Sequence, residues 1–230
     1  QRRAKVAWDE GRFANSVISV RDINGLSILD HDEYMRPQTD MQSLGSLNPA
    51  FQAMGEVMPG FDKVALMKYP HLEKINHIHH AGNSSGVVDG AAALLLASEA
   101  YMEKSGMTPR ARIVATANMG DCPTLMLNAP VPAAEKVLMK ARLTKDDIDV
   151  WEINEAFSVV AERFIRRLDL DREKVNINGG AMALGHPIGA TGSILVGTAL
   201  DELERQNGRY ALITMCAAGG MAPAIIIERV

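Results

Sequence analysis

Short apolar segments typical of strands alternate with longer segments of helical periodicity from residue 107 to residue 230. The predicted strands are 112–117 (a buried strand), 149–153, 210–216 and 221–228, and the predicted helices are 132–142, 155–168 and 190–205. Helices of this length bury an apolar stripe against the face of a sheet, so the alternation predicts an α/β layered architecture. The turn residues 217–220 join the last two strands and predict an antiparallel hairpin.

The first part of the chain has a different pattern. Residues 1–12 place apolar side chains at helical spacing, whereas residues 22–59 are rich in turn formers and acids without sustained periodicity. Asn24-Gly25 predicts a tight hairpin with a type I′ turn, and 14–80 is interpreted as an irregular subdomain that carries ligand contacts. Residues 87–102 are almost all small or apolar, which predicts a helix buried on most sides.

Composition excludes several classes of protein. An apolar fraction of 47% argues against disorder, and a net charge of −4 argues against a nucleic-acid-binding surface. No apolar run reaches the roughly 20 residues that span a bilayer. The two cysteines exclude a disulfide framework and suit a reducing compartment, so we expect a cytoplasmic protein.

Asn154 lies where a predicted strand gives way to a predicted helix, in the segment Asn154-Glu155-Ala156-Phe157. Polar residues that leave the carboxyl end of a buried strand face the crevice where α/β folds bind ligands. The alternative is that Asn154 is an ordinary N-cap of the following helix.

His186 lies in a glycine-rich segment, NGGAMALGHPIGATG, over residues 178–192. So many glycines are incompatible with a regular strand or helix and mark close backbone approach to a ligand or to another chain segment. A histidine held between Gly185 and Pro187 at the start of a helix is a candidate acid, base or hydrogen-bond donor. The alternative is a structural histidine in a tight turn.

Cys216 ends an apolar strand and begins a glycine turn, which places its thiol at the carboxyl edge of the strand. A cysteine there can act as a base when turn N–H groups or a cation lower its pKa. The alternative is a buried inert cysteine, and Cys122 is interpreted as structural. The run His77-Ile78-His79-His80 has no neighbouring carboxylate or cysteine to complete a zinc site, so no metal is predicted. The following AGNSSG predicts a ligand loop.

NEAF, NGGAMALGHPIGATG and CAAGG, in this order, closely resemble the thiolase family, the acyl-CoA acetyltransferases. AGNSSGVVDGAAALLL is similar to the family's loop-to-helix transition, and ALITMCAAGGMAPAIIIERV to its last hairpin. HDEYMRP and QRRAKVAW are most similar to degradative 3-ketoacyl-CoA thiolases. The resemblance implies a layered α/β/α/β/α fold, incomplete in this chain. It divides the chain into a loop subdomain (1–86), the last helix of the N-terminal half (87–106) and the C-terminal domain (107–230).

The resemblance also implies catalytic roles. His186 would activate a nucleophilic cysteine and donate to one oxyanion hole, and Asn154 would hold the water that is the other donor of that hole. Cys216 would be the acid and base that moves the α-proton of the acetyl unit. The backbone N–H of Ala218 would serve a second oxyanion hole.

Binding roles and partners follow from the same resemblance. Ser85 would contact the pantetheine arm, with Phe157 and Met126 packing nearby. We expect no tightly bound cofactor and no metal, with coenzyme A and acyl-CoA as substrates. The family is also expected to form homodimers or homotetramers and to associate with a hydratase/dehydrogenase subunit.

Three departures from the family pattern stand out. Ala218 replaces a usual glycine, and alanine would strain the turn if this position required a positive φ. His80 replaces a usual threonine. The acyl-accepting cysteine of the family, on a Cys-x-Ser-Gly type segment, has no match here, so we expect the 230 residues to be part of a longer polypeptide or to work with a companion chain.

The expected activity is thiolytic cleavage of 3-ketoacyl-CoA by CoA, or the reverse Claisen condensation, in fatty-acid or steroid side-chain β-oxidation. One alternative is a related condensing or lipid-transfer-linked protein, but ketoacyl synthases pair two histidines, and Cys216 argues against them. The other alternative is a non-catalytic CoA-binding or scaffold subunit with this fold.

Overall fold

The computed structural model describes residues 1–58 and 60–230. The α-helices are α1 (Arg2–Asp9), α2 (Met41–Gly45), α3 (Gln52–Val57), α4 (Phe61–Lys68), α5 (Glu99–Ser105), α6 (Pro130–Ala141), α7 (Ser158–Leu168), α8 (Ala181–Leu184) and α9 (Thr191–Gln206). The strands are β1 (Val20–Arg21), β2 (Ser27–Leu29), β3 (Ala111–Gly120), β4 (Val150–Ile153), β5 (Tyr210–Thr214) and β6 (Met221–Arg229).

The main sheet has the strand order β3-β6-β5-β4. β5 and β6 form the antiparallel hairpin that the sequence predicts, and β3 pairs with the other side of β6. β4 runs parallel to β5, with Ile153 opposite Thr214 at the end of the pairing. The α/β prediction is therefore confirmed, and the carboxyl ends of β4 and β5 meet at one edge of the sheet.

Helices cover both faces of this sheet. Successive side chains of β4 point to opposite faces, so each face has apolar residues that pack against helices. Trp151 and Ile153 are buried in a cluster with α6 and α7, where the Trp151 ring lies 5.9 Å from that of Phe164. Val150 points the other way and packs with Leu195 and other residues of α9. The result is a helix–sheet–helix arrangement.

β3 is an edge strand, and the prediction that it is buried is wrong. Ala117 is its one buried residue. On its free edge, Lys136 donates to the carbonyl of Asn118 at 3.0 Å and Lys140 to that of Thr116 at 2.5 Å. Lysines on a free edge block pairing with another strand, which explains how an exposed ten-residue strand is tolerated.

The helix predicted over 87–102 is also wrong in its first three turns, because α5 begins only at Glu99. Val87, Leu95 and Leu96 are 90%, 79% and 72% exposed. An apolar helix owes most of its stability to a packed partner surface, and the described residues do not cover this segment. Helix α5 ends at Gly106, which adopts the left-handed conformation directly after it.

The N-terminal segment is tied to the C-terminal domain. Helix α1, predicted over 1–12, packs Ala4 against the backbone of Gly179, where an added Cβ would lie 2.7 Å from that of Ala4. The predicted hairpin forms between β1 and β2, but its turn is not type I′. Gly25 has φ +84°, Asn24 does not share a positive φ, and the Asp22 carboxylate accepts from the Asn24 N–H at 2.8 Å. In the described part of the chain, we find no helix with the length and apolarity needed to cross a membrane.

Glu152 is a carboxylic acid in the middle of β4, where it is only 2% exposed. Burial is the largest cause that raises its pKa well above the ordinary value, and repulsion from Glu155 and Glu202 adds to it. The neutral acid therefore stabilises the fold fully below about pH 4.5, the unfolded value, and this contribution is lost as pH rises through the folded pKa.

We expect Glu152→Gln, which mimics the protonated acid, to gain stability relative to the wild type as pH rises above about 4.5, the unfolded value. The difference should grow by about 1.4 kcal/mol per pH unit until the wild-type acid ionises. Urea unfolding at several pH values measures it, with exposed Glu135→Gln as the matched control. A difference that is independent of pH would show that Glu152 is not held protonated.

Candidate active site

Asn154 directly follows β4 and is fully buried. Its backbone N–H donates to the carbonyl of Thr214 on β5 at 3.1 Å. Helix α7 begins only at Ser158, with Phe157 at the N-cap position, so the interpretation of Asn154 as an N-cap is wrong. The asparagine side chain is thus free of a capping role and lies at the carboxyl edge of the sheet.

The loop that carries His186 is held by segments far from it in the sequence. The His186 N–H donates to the carbonyl of Gly86 at 2.8 Å. A Cβ on Gly185 would collide with Val88, and one on Gly179 would collide with Ala4 of α1. At these positions, therefore, the glycines serve close approach to other chain segments, the second of the two explanations offered by the sequence.

Thr191, the first residue of α9, determines which nitrogen of His186 carries the proton. The Thr191 hydroxyl donates to the carbonyl of Pro187 at 2.9 Å. Its oxygen then accepts from His186 Nδ1, 2.6 Å away, so Nδ1 bears the hydrogen and Nε2 bears the lone pair. The sequence alone did not identify this role of Thr191. The signal that could have indicated it is a hydroxyl residue five positions after the histidine, at the start of a predicted helix.

Asn154 and His186 are brought together at this Nε2 atom. Asn154 Nδ2 lies 3.4 Å from His186 Nε2 and can donate to it, while Asn154 Oδ1 is buried and has no hydrogen-bond donor among the described residues. Burial lowers the pKa of His186 below its ordinary value of 6.5. Its imidazole is therefore neutral near pH 7 and able to accept a proton at Nε2.

Cys216 lies two residues beyond the end of β5, at the same sheet edge as Asn154. It is 7% exposed, and burial raises the pKa of its thiol, opposite to the lowering expected from a turn. At neutral pH it is a thiol, the form that can give a proton. Ala217 and Met221 close the following turn with a pair of backbone hydrogen bonds of 2.7 and 3.2 Å.

The strain expected at Ala218 is absent. The positive φ values of this turn fall on Gly219 and Gly220, at +84° and +82°, and not on Ala218. Ala218 is exposed, and its N–H is not used by the Ala217–Met221 pair. An alanine is thus accommodated without cost to the backbone.

The three residues with an expected binding role lie in two places. The Ser85 N–H donates to the carbonyl of Ala156 at 3.0 Å, beside a β-bridge between Ser84 and Phe157, so Ser85 and Phe157 are near neighbours. Met126 lies instead in the loop after β3, with φ +65° and a side chain that is 36% exposed.

The Met126 loop also contains Cys122 and reaches the Cys216 turn, because the Asp121 N–H donates to the Gly220 carbonyl at 2.7 Å. Cys122, which the sequence pattern leaves as a structural cysteine, is half-buried. The backbone N–H of Leu125 is the largest of the contacts that lower the pKa of its thiol, and the Tyr69 side chain contributes.

A groove of about 390 Å³ borders the His186 loop and is lined by residues 88–92 and 187–190. Two histidines of the 77–80 run make local hydrogen bonds: His77 Nε2 lies 3.0 Å from an Asp62 carboxylate oxygen, and His80 Nδ1 accepts from the Gly82 N–H at 3.1 Å. The buried polar groups at the sheet edge can accept a proton at His186 Nε2 and donate one from the Cys216 thiol.

Comparison with known proteins matches two family models, "Thiolase, C-terminal domain" over residues 107–229 and "Thiolase, N-terminal domain" over residues 1–64. The 3-oxoadipyl-CoA/3-oxo-5,6-dehydrosuberyl-CoA thiolase of Escherichia coli (strain K12) is 43% identical over 100% of this chain and 53% of its own length. The mitochondrial 3-ketoacyl-CoA thiolase of Homo sapiens is 40% identical over 99% of this chain and 52% of its own.

The crystal structure of human mitochondrial 3-ketoacyl-CoA thiolase in complex with CoA superposes with a TM-score of 0.84 at 37% identity, covering 100% of this chain and 52% of that one. The chain spans about half the length of the curated relatives it matches.

We expect Thr191→Val to release the tautomer of His186, because valine fills the same space without an acceptor for Nδ1–H. Losing a bond of about 1 kcal/mol shifts the tautomer ratio about fivefold. Nitrogen-15 NMR of the imidazole measures the ratio, and Thr191→Ser, which keeps the hydroxyl, is the matched control. An unchanged tautomer in the valine variant would contradict the assignment.

Proposed function

The chain belongs to the thiolase family, as the match of the C-terminal family model to residues 107–229 shows, and on this premise we propose that it is part of an enzyme that cleaves 3-ketoacyl-CoA with CoA or runs the reverse condensation. The observation that carries the proposal is the pairing of Asn154 with an unprotonated His186 Nε2 at the sheet edge where the buried Cys216 thiol also lies. The nucleophilic cysteine is supplied by sequence other than these 230 residues.

In the first half-reaction His186 Nε2 takes the proton of that cysteine, whose thiolate attacks C3 of the substrate. The C2–C3 bond breaks, and its electron pair stays on C2 as the enolate of acetyl-CoA. Cys216, held as a thiol by burial, gives its proton to C2, and acetyl-CoA leaves.

In the second half-reaction the Cys216 thiolate takes the proton of the incoming CoA thiol. The CoA thiolate attacks the acyl thioester on the enzyme, and acyl-CoA leaves. His186 then returns its proton to the nucleophilic cysteine, so the cycle closes with every proton accounted for. A buried cysteine with a raised pKa suits the donor step and makes its thiolate a strong base.

Oxygen atoms that become negative need fixed donors, each contributing roughly 3 kcal/mol in a dry site. Once protonated, His186 can donate from Nε2 to the enolate oxygen. Asn154 is the second group there, and its buried Oδ1, which has no donor among the described residues, suits the holding of a water donor. The exposed Ala218 N–H is the candidate donor for the acyl-enzyme.

CoA is the proposed co-substrate rather than a resident cofactor. The CoA complex of the human neighbour supports this assignment. Ser85 adjoins the segment 154–157 and is the proposed contact of the pantetheine arm, with Phe157 packing beside it. Met126, in the separate loop after β3, is proposed to pack against the same arm. Dimers, tetramers and a hydratase/dehydrogenase partner stay predictions.

A second candidate is a non-catalytic CoA-binding subunit of the same fold. It is favoured by one observation, that neither of the two cysteines of the chain lies in the segment type that carries the family nucleophile. The two candidates differ in turnover but not in CoA binding.

We expect the intact protein to cleave acetoacetyl-CoA or a longer 3-ketoacyl-CoA when CoA is supplied. His186→Ala and Cys216→Ala should each lower kcat about 10³-fold, the usual contribution of a general acid or base, with melting temperature and CoA affinity kept. His31→Ala, at an exposed histidine, is the control. Wild-type rates in either site variant would refute the roles, and CoA binding without turnover in the wild type would favour the second candidate.

A further inference from the structure

Glu155 connects the Asn154 loop to the loop that carries His186. We propose that it is a positioning residue, whose carboxylate holds these two loops in register and so sets the contact between Asn154 and His186. The kinetic consequence rests on the proposed function, whereas the geometric consequence does not.

Each oxygen of the Glu155 carboxylate accepts one hydrogen bond from the glycine-rich side of the site. Oε1 accepts from the side-chain amide of Asn176 at 3.0 Å, and Oε2 accepts from the backbone N–H of Met182 at 3.2 Å. Met182 lies in the first turn of α8, four residues before His186. Glu155 itself follows Asn154 directly, so one side chain spans both loops.

Asn176 cannot reverse its amide to suit a different partner. Its Oδ1 accepts from the Ile153 N–H at 2.9 Å, and its Nδ2 donates to the Ile153 carbonyl at 2.9 Å. Turning the amide over would break both bonds in a buried place. Asn176 therefore presents a donor to Glu155, as Met182 does, and only a group with two acceptors satisfies both.

Gly180 provides the space for this carboxylate. A Cβ at Gly180 would collide with the carboxyl group of Glu155 and would lie only 2.7 Å from Oε1. Its φ of −146° is one that alanine adopts without strain, so space alone explains the glycine. The glycine and the carboxylate thus form one fitted unit.

The contact between Asn154 and His186, which depends on this unit, tolerates little displacement of either loop. Asn154 Nδ2 and His186 Nε2 are 3.4 Å apart, near the limit of a hydrogen bond, so a displacement of either loop breaks it. Misplacement of a catalytic group by about 1 Å can lower a rate about 10²-fold.

The first test is Glu155→Gln, which keeps the shape but replaces one acceptor oxygen by an NH₂ that faces a donor. We expect the imidazole nitrogen-15 shifts and the pKa of His186 to change, and kcat to fall between about 10- and 100-fold, while KM for CoA changes less than threefold. Exposed Glu135→Gln is the matched control.

The second test approaches the same contact from the other side. Gly180→Ala should displace the carboxylate and reproduce both effects, and the double variant should be no worse than the poorer single variant because the two changes break one contact. Gly45→Ala is the control, because no atom of the described residues lies within 4 Å of an added Cβ there. The Gly180→Ala variant also keeps the proposal testable if Glu155→Gln does not fold.

Normal His186 signals and a normal kcat in a folded Glu155→Gln or Gly180→Ala variant would overturn the positioning role. The NMR measurement needs no turnover. If the wild type shows no thiolysis, the proposed function fails while the His186 signals still decide the role of Glu155.

Discussion

The parallel pairing of β4 with β5 is the constraint on which the candidate site depends. The register that places Ile153 opposite Thr214 ends both strands at one edge, and the Asn154 N–H extends the ladder to the Thr214 carbonyl. Asn154 and the Cys216 turn therefore leave the sheet side by side. Ligands of open α/β sheets bind at the carboxyl ends of strands, because loops there can diverge and leave a crevice.

His186, the third residue of the site, reaches this edge of the sheet from a loop that has little regular structure of its own. Helix α1, the Glu155 side chain and Val88 each press against a glycine of the 178–192 segment. Three separate parts of the chain thus hold the backbone that presents His186. Contacts of this kind from several segments keep a catalytic group in place when it lies on a loop rather than on a strand or a long helix.

Burial prepares the two titrating groups of the site in complementary states. It lowers the pKa of His186, which favours the neutral base, and raises that of Cys216, which favours the thiol. One physical cause acts in opposite directions because the charged form of each group is the costly one. A base without its proton and an acid with its proton are what the proposed cycle needs at its start.

The alternation of strands and helices, the β5–β6 hairpin and the position of Asn154 at a strand end could all be predicted from the sequence, because apolar runs, helical periodicity and glycine turns are local signals. The absence of a helix over 87–98 and the exposure of β3 could not be predicted from the sequence. Whether an apolar segment forms a buried element depends on what covers it. The partners of His186 likewise came only from the tertiary structure. Hydrogen bonds, burial and pKa depend on residues far apart in the chain, whereas spacing reports only on near neighbours.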